Sequence, residues 1–496
     1  MKKLKIVSIS AEVHPYSKTG GLGDVARSLP KALHRLGQEV IIITPFYTKL
    51  IQAEKFGIKK IFSDVKIKID DKNEESVSYY RAELLPGLKV YFIGNEKYFS
   101  RHKKLYGAQN ENARFYLFDI AALKLLSLLK FEADIIHCHD WHTGLIPYLR
   151  QNRFKKSQTL AKAAMVYTIH NLVFQFGHNW WEVPADKKDK GVKALPLFNN
   201  KGVEYINFAK RAIIYSDVVN TVSETYSEEI LKPTFGQDLH RVLRNRKDRL
   251  YGIVNGIDYK EYNPINDKNL VINYDHKKIQ RKKVNKEHIQ KLFGLKVDQD
   301  VPVICTTSRV TYQKGFDLIL NTLSNIMDMG AQLIIIGAGD KSYIKEFMKL
   351  SKKYPQQLAV IPSHQENQKY ETLVYAGSDM FLLPSHHEPC GINQLISFRY
   401  GCVPIVRQTG GLNDTVENFE PDNKASNGFS FKNYDQKEFL ISLTRALETY
   451  KHKKIWRDLA CRGMKASYSW EIPAKEYLEL YQEAIKIKNQ ANQKDE

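Results

Sequence analysis

Thr19-Gly20-Gly21-Leu22-Gly23-Asp24, near the start of the chain, is echoed near its other end by Thr409-Gly410-Gly411-Leu412-Asn413-Asp414. Each stretch follows a short β-branched run and opens an amphipathic segment, so each reads as a strand-to-helix turn. The echo points to two related α/β halves. Further apolar runs lie at residues 5–10, 40–45, 89–93, 134–137, 165–170 and 217–223, and again at 302–308, 332–337, 358–362, 380–385 and 403–406. They are continuous rather than alternating, the mark of strands buried on both faces of a parallel sheet. Between them lie helical patterns such as residues 25–36, apolar at Val25, Leu29, Ala32, Leu33 and Leu36 and stopped by Gly37. From 251 to 301 strand signals are sparse and charge is dense, which predicts a junction between two domains. In open parallel sheets ligands collect beyond the carboxyl ends of the strands, so two such domains would hold a ligand in the cleft between them.

Composition narrows the class. The chain has 496 residues, 43% of them apolar and 26% charged, the balance of a globular protein rather than a disordered one. No run reaches the roughly eighteen apolar residues of a membrane span. Residues 1–10 lack the pattern of a secretory signal. The five cysteines, Cys138, Cys305, Cys390, Cys402 and Cys461, are odd in number and form no CxxC pair. A reducing, cytoplasmic location without disulfides or a structural zinc is the expectation. Lys and Arg total 75 against 55 Asp and Glu, a net charge of +20. The densest basic stretch, residues 276–283, carries no aromatic to stack on bases and reads as a solvated surface segment. Neither nucleic acid nor a membrane is an expected partner.

Five clusters could carry chemistry. Lys18-Thr19-Gly20-Gly21-Leu22-Gly23-Asp24 places a cation and close-approaching backbone at a helix start, although Asp24 could equally be a cap. It is neither GxGxxG nor a Walker loop. His137-Cys138-His139-Asp140-Trp141-His142 ends a buried strand and invites a metal. Consecutive strand residues face opposite ways, however, so only His137 and His139 share a side, and cleft-lining polar groups are the better reading. Thr168-Ile169-His170-Asn171-Leu172 repeats that topological position. Arg309 and Lys314 flank a turn that Gly315 permits and could grip a diphosphate without a metal, Lys314 reaching into solvent. Glu388-Pro389-Cys390-Gly391 aims a carboxylate and backbone N–H groups at a helix start, where Glu388 could bind sugar hydroxyls or simply favour the helix dipole.

Taken together, these segments resemble the glycogen/starch synthase family. K-T-G-G-L-G-D, H-x-H-D-W-H, I-H-N, V-N-G-I-D (Val254 to Asp258), S-R-x-x-x-Q-K-G, E-P-C-G and T-G-G-L-x-D-T-V occur in the family's order, from about Ile6 to the Ser469-Trp470 segment and the helix of Tyr477 and Tyr481. The resemblance implies an α/β glycosyltransferase-B fold, two Rossmann-like doubly wound parallel-sheet domains facing across a cleft. Residues 1–255 would be the acceptor-side domain and 256–468 the donor-side domain. Residues 469–487 would form a helix returning to the first domain, and 488–496 a frayed tail. The implied activity is transfer of glucose from a nucleoside diphosphate glucose to the non-reducing 4-hydroxyl of an α-1,4-glucan primer, with retention and with no metal or other cofactor. By the same resemblance, Arg309 and Lys314 neutralise the leaving diphosphate. Lys18 and Gly21, with Asp24, belong to the loop closing on the donor. Asp140, His170, Asn171 and Asn255 surround the transferred glucose. Glu388, Cys390 and Gly391 form the glucose-binding loop, with Thr409 and Gly410 beside them.

Two departures stand out. His386-His387 replaces the family's Arg-Phe before E-P-C-G, and Ser363-His364-Gln365-Glu366-Asn367 puts Glu366 where relatives carry a base-stacking aromatic. The length and the absence of a transit peptide favour ADP-glucose as donor. Alternatives are a UDP-glucose-using synthase, a related retaining transferase with a small acceptor, and a non-catalytic glucan-binding homologue. Retaining glycosidases use two carboxylates about 5 Å apart. No such pair is evident here; what the resemblance implies is transfer on one face, with the departing phosphate taking the acceptor's proton.

Overall fold

Apolar strand runs set two separate sheets in the computed structural model, which describes residues 3–495. One compact unit spans Met1–Ile253 and Trp470–Glu496, the other Val254–Ser469. The first unit contains β1 (Lys5–Ile9), β2 (Glu39–Pro45), β3 (Lys59–Lys68), β4 (Glu74–Leu85), β5 (Leu88–Gly94), β6 (Ile135–His139), β7 (Ala164–Ile169), β8 (Val218–Thr221) and β9 (Leu250–Gly252). They lie in the order β3-β4-β5-β2-β1-β6-β7-β8-β9, parallel from β5 to β9. The second unit contains β10 (Val303–Thr306), β11 (Gln332–Ile336), β12 (Leu358–Ile361), β13 (Met380–Leu383), β14 (Val403–Arg407) and β15 (Phe429–Phe431). Their order is β12-β11-β10-β13-β14-β15, all parallel. The two sheets are those of a doubly wound α/β protein.

The central strands are buried along their lengths, as continuous apolar runs require. The edge pair β3–β4 differs. It is antiparallel and its burial alternates, because one face meets the core and the other meets water. A search for uninterrupted apolar runs passes over such strands, and over the three-residue β9 and β15. Each glycine-rich echo opens a helix as read: Gly21–Arg35 after β1 and Gly410–Thr415 after β14. The first buries Val25, Leu29, Ala32 and Leu33 and ends at Gly37, whose φ of 84° is left-handed. Leu36, grouped with that apolar face on spacing, is exposed.

Two expectations about charged segments change. In the stretch 276–283, Lys277, Lys278, Arg281 and Lys283 are exposed. Lys282 instead turns inward, donating to the carbonyls of Tyr375 at 2.9 Å and Tyr400 at 2.8 Å. The helix Glu471–Asp495 does not stop at 487. It packs on the helix Gly21–Arg35 and on β7, and largely buried Lys488 lies within electrostatic reach of Asp217. Residue 496 lies outside the described residues. Tyr477 and Tyr481 enter the first core as polar ties. Asn220 Nδ2 donates to the Tyr477 hydroxyl at 3.1 Å, and the Tyr481 hydroxyl lies 2.9 Å from His137 Nδ1.

Removing the last tie strands a buried ring nitrogen. Tyr481→Phe is expected to cost about 1–2 kcal/mol and to lower the Tm of the first unit by about 2–6 °C. Differential scanning calorimetry measures this, and an unchanged transition would show that the tie contributes nothing.

Candidate active site

In both sheets the chain order reverses once. β1 and β6 are neighbours, but β1 connects to β2 on one side and β6 to β7 on the other; β10 and β13 diverge in the same way toward β11 and β14. Connections that leave in opposite directions open a crevice beyond the strand ends. The chemical residues follow these ends.

In the first unit the loop after β1 is pinned by Glu12, which is 2% exposed. Its carboxylate accepts the backbone N–H of Thr19, the Thr19 hydroxyl at 3.1 Å and the Tyr106 hydroxyl at 3.1 Å. Burial pushes the Glu12 carboxyl above its usual range, while the Thr19 and Tyr106 bonds pull it back. The pinned loop leaves Lys18, Gly20 and Gly21 exposed at the helix start. The cap position is Gly20, with no side-chain capping bond. Asp24 sits within the first turn instead, its carboxylate 2.8 Å from Lys18 Nζ and 3.8 Å from His14 Nδ1.

At the end of β6, His137 and His139 share a face, their ring centroids 4.0 Å apart. Asp140 follows with a left-handed φ of 57°. This lifts its side chain toward the end of β7, where Oδ1 accepts the N–H of His170 at 2.7 Å and of Asn171 at 3.4 Å. Burial outweighs these bonds and raises the Asp140 carboxyl to about 7. Burial likewise lowers His170 to about 3, so its ring is neutral. Asn171 turns its own Oδ1 to the N–H of Val173 at 3.1 Å. His142 stacks on Trp141 and Tyr106, with centroids at 4.2 and 4.8 Å. Among the described residues no group of three His, Cys, Asp or Glu could hold a metal ion.

In the second unit the turn after β10 carries Arg309 and Lys314. It closes on the loop after β13 through Gly315, whose φ is 77° and where a Cβ would stand 2.1 Å from the Pro384 carbonyl oxygen. The N–H of His386 donates to the Gln313 carbonyl at 2.8 Å. Lys314 does not extend freely into solvent. Its ammonium pairs with Glu388, whose carboxylate also accepts the Ser385 hydroxyl at 3.2 Å, and the Lys314 side chain is 16% exposed. Arg309 is exposed, and among the described residues it has no hydrogen-bond or ion-pair partner. Gly410 lets the helix after β14 approach the Glu388 loop, since a Cβ there would lie 2.0 Å from the Glu388 carbonyl oxygen. Thr409 occupies the cap position of that helix and is buried. Gly391 has a φ of 73°. Cys390 is buried and pushed up to about 12, although bonds from buried Asn255 pull the other way.

The sequence-derived residues therefore fall into two sets. Lys18, Gly21, Asp24, Asp140, His170 and Asn171 belong to the first unit. Asn255, Arg309, Lys314, Glu388, Cys390, Gly391, Thr409 and Gly410 belong to the second. Glu366 occupies the first turn of the helix His364–Gly377, where Ser363 Oγ accepts its N–H at 3.2 Å. Its place in the motif is that of a capping-box glutamate. Sequence reasoning passed over Glu12, Tyr106, Ser8 and Tyr312. Glu12 lies just past a strand end, the position that singled out Asp140 and His170, and could have been found on that ground. Tyr312 is exposed on the phosphate-grip turn, with its ring centroid 5.5 Å from that of His386.

Residues 5–245 match the family model described as starch synthase catalytic domain, and residues 289–460 the model described as glycosyl transferases group 1. Fold and site residues together define a two-domain glycosyltransferase. A glycogen synthase of Pseudothermotoga lettingae is 39% identical, over 98% of this chain and all of its own. One of Anoxybacillus flavithermus is 38% identical, over 97% and 98%. The chain belongs to the glycogen/starch synthase family. The solved catalytic domain of starch synthase IV from Arabidopsis thaliana, bound to ADP and acarbose, superposes with a TM-score of 0.85 at 31% identity, covering 98% of this chain and 100% of that one. Sucrose-phosphate synthase from Thermosynechococcus elongatus shares the fold, with a TM-score of 0.61 at 16% identity over 97% and 98%.

The raised carboxyl of Asp140 has a consequence for stability. In the unfolded chain it titrates at about 3.9, in the fold at about 7. Its contribution is complete below pH ~4 and is lost as pH rises through about 7. Asp140→Asn is expected to flatten that decline, by up to about 1.4 kcal/mol per pH unit. Unfolding measured at pH 4.5, 6 and 7 checks this, and parallel slopes for the two proteins would refute it.

Proposed function

We propose that this glycosyltransferase elongates an α-1,4-glucan, taking glucose from ADP-glucose in preference to UDP-glucose and adding it to the non-reducing 4-hydroxyl with retention. Family membership supports the reading, as does the solved relative that holds ADP and acarbose. The observation that carries it is the arrangement after β10 and β13: Arg309 exposed and without a partner among the described residues, on the same turn as Lys314, which is held on Glu388. Five free cysteines among the described residues support a cytoplasmic setting, and no described helix is long and apolar enough to cross a membrane.

The chemistry follows from charge. The C1–O bond to the diphosphate breaks, leaving an oxocarbenium-like sugar and an anion. Arg309 grips that anion as a planar fork, and Lys314 adds a point charge. Lys314 must exchange Glu388 for phosphate as the donor binds, which frees the Glu388 carboxylate for sugar hydroxyls. The acceptor 4-oxygen forms the new C1–O bond, and its proton passes to the departing phosphate oxygen. Retention then needs no enzymic nucleophile. With two cations on the diphosphate, turnover does not depend on a metal.

Three measurements test this. In a screen with EDTA present, labelled ADP-glucose should enter glycogen primer, with UDP-glucose the poorer donor. No transfer from either donor, restored by magnesium, would overturn the metal-free grip. Lys314→Ala should cost about two to three orders of magnitude in kcat/KM. It should also lower Tm, because Glu388 loses its counter-ion; near-normal turnover would place the phosphate grip elsewhere. Lys18→Ala should also impair turnover, since the reading makes Lys18 a donor-binding residue. Unaltered kinetics would remove the Lys18 loop from the assignment.

A further inference from the structure

We infer that Ser8 and His139 fix the tautomer of His170, so that its ring offers an N–H from Nδ1 to the bound sugar. What that N–H meets rests on the function proposed above; the tautomer itself does not.

The three side chains stand in line across neighbouring strands: Ser8 on β1, His139 at the end of β6 and His170 just past β7. Ser8 Oγ lies 3.2 Å from His139 Nε2, and His139 Nδ1 lies 3.0 Å from His170 Nε2. Ser8 is 3% exposed and His139 fully buried. Among the described residues no protein group bonds Nδ1 of His170, and the Ser8 hydroxyl has no partner other than His139. Burial holds both rings below their ordinary range, so each is neutral and carries one N–H and one bare nitrogen.

Protons can fill this line in two senses. In the first, Ser8 donates to His139 Nε2, His139 donates from Nδ1 to His170 Nε2, and His170 keeps its proton on Nδ1. Every buried donor has an acceptor. In the second, His170 donates from Nε2, His139 donates from Nε2 to Ser8 Oγ, and the Ser8 proton is left inside the core with nothing to accept it. Buried donors without acceptors are strongly disfavoured. The first sense wins, and the free nitrogen of His170 is a donor. Asp140 accepts the backbone N–H of the same residue at 2.7 Å, so His170 is held at both its backbone and its ring. His170 is then a hydrogen-bond donor to a sugar oxygen, and Ser8 and His139 are positioning residues that need not touch substrate.

Nuclear magnetic resonance on the full chain with ¹⁵N-labelled histidine tests this, with His170 assigned by its loss in His170→Gln. Long-range proton–nitrogen correlation should show His170 protonated on Nδ1 and bare on Nε2, without substrate present. A proton on Nε2 overturns the inference. Ser8→Ala removes the bias, and a second tautomer should appear; a spectrum identical to the parent's also overturns it. Neither readout depends on activity, so failure of the proposed glucosyl transfer is a separate result. In the transfer assay Ser8→Ala should lower kcat about tenfold while donor KM stays within about twofold. An unchanged kcat with both tautomers visible would show that the N–H does not meet the sugar.

Discussion

The divergence of the chain at β1/β6 and at β10/β13 is the constraint on which the rest depends. Parallel strands present their carboxyl ends on one edge of the sheet, and each must be followed by a connection that covers that edge. Where two neighbours send their connections opposite ways, neither covers the gap. Polar side chains can then be set on rigid strand ends without a loop lying across them. Glu12, Asp140, Arg309 and Glu388 all leave their strands next to these two points, and His170 follows the adjoining strand. Helix starts follow two of the strands, after Gly20 and Thr409, and add backbone donors.

Within that frame the site cations are managed in two ways. Lys18 is held by Asp24 and Lys314 by Glu388. Arg309 is left open. A lysine ammonium is a mobile point charge that can change partners, whereas a guanidinium is a rigid fork suited to waiting for an oxyanion. On the proposed function, donor binding replaces a carboxylate by a phosphate at Lys314, so the charge there stays compensated and the freed Glu388 gains a role. The first unit works differently. Its histidines are buried and neutral, Asp140 is held near neutrality by desolvation, and orientation rather than charge is what the hydrogen-bond lines at Ser8, His139 and Asp140 provide.

Much of this was legible in one dimension, because the physics behind it is local. A continuous β-branched run has nowhere stable to go except a sheet buried on both faces, so the central strands and the two α/β halves follow directly from sequence. Glycine-rich turns and the ordered motifs place candidate residues at strand ends by the same logic. Signals that depend on half-burial were lost: the β3–β4 hairpin alternates, and β9 and β15 are too short to register. Partnership was equally invisible. Nothing in residues 309–315 says that Lys314 reaches Glu388, nothing in residues 276–283 that Lys282 turns to two buried carbonyls, and nothing in residues 5–10 that Ser8 faces a histidine at sequence distance 131. Sequence by itself determined which residue types stand at which strand ends. The tertiary structure decided which of them meet, which carboxyl is desolvated and which nitrogen of His170 is free, because hydrogen-bond partners and dielectric are set by groups that strand pairing brings together from distant parts of the chain.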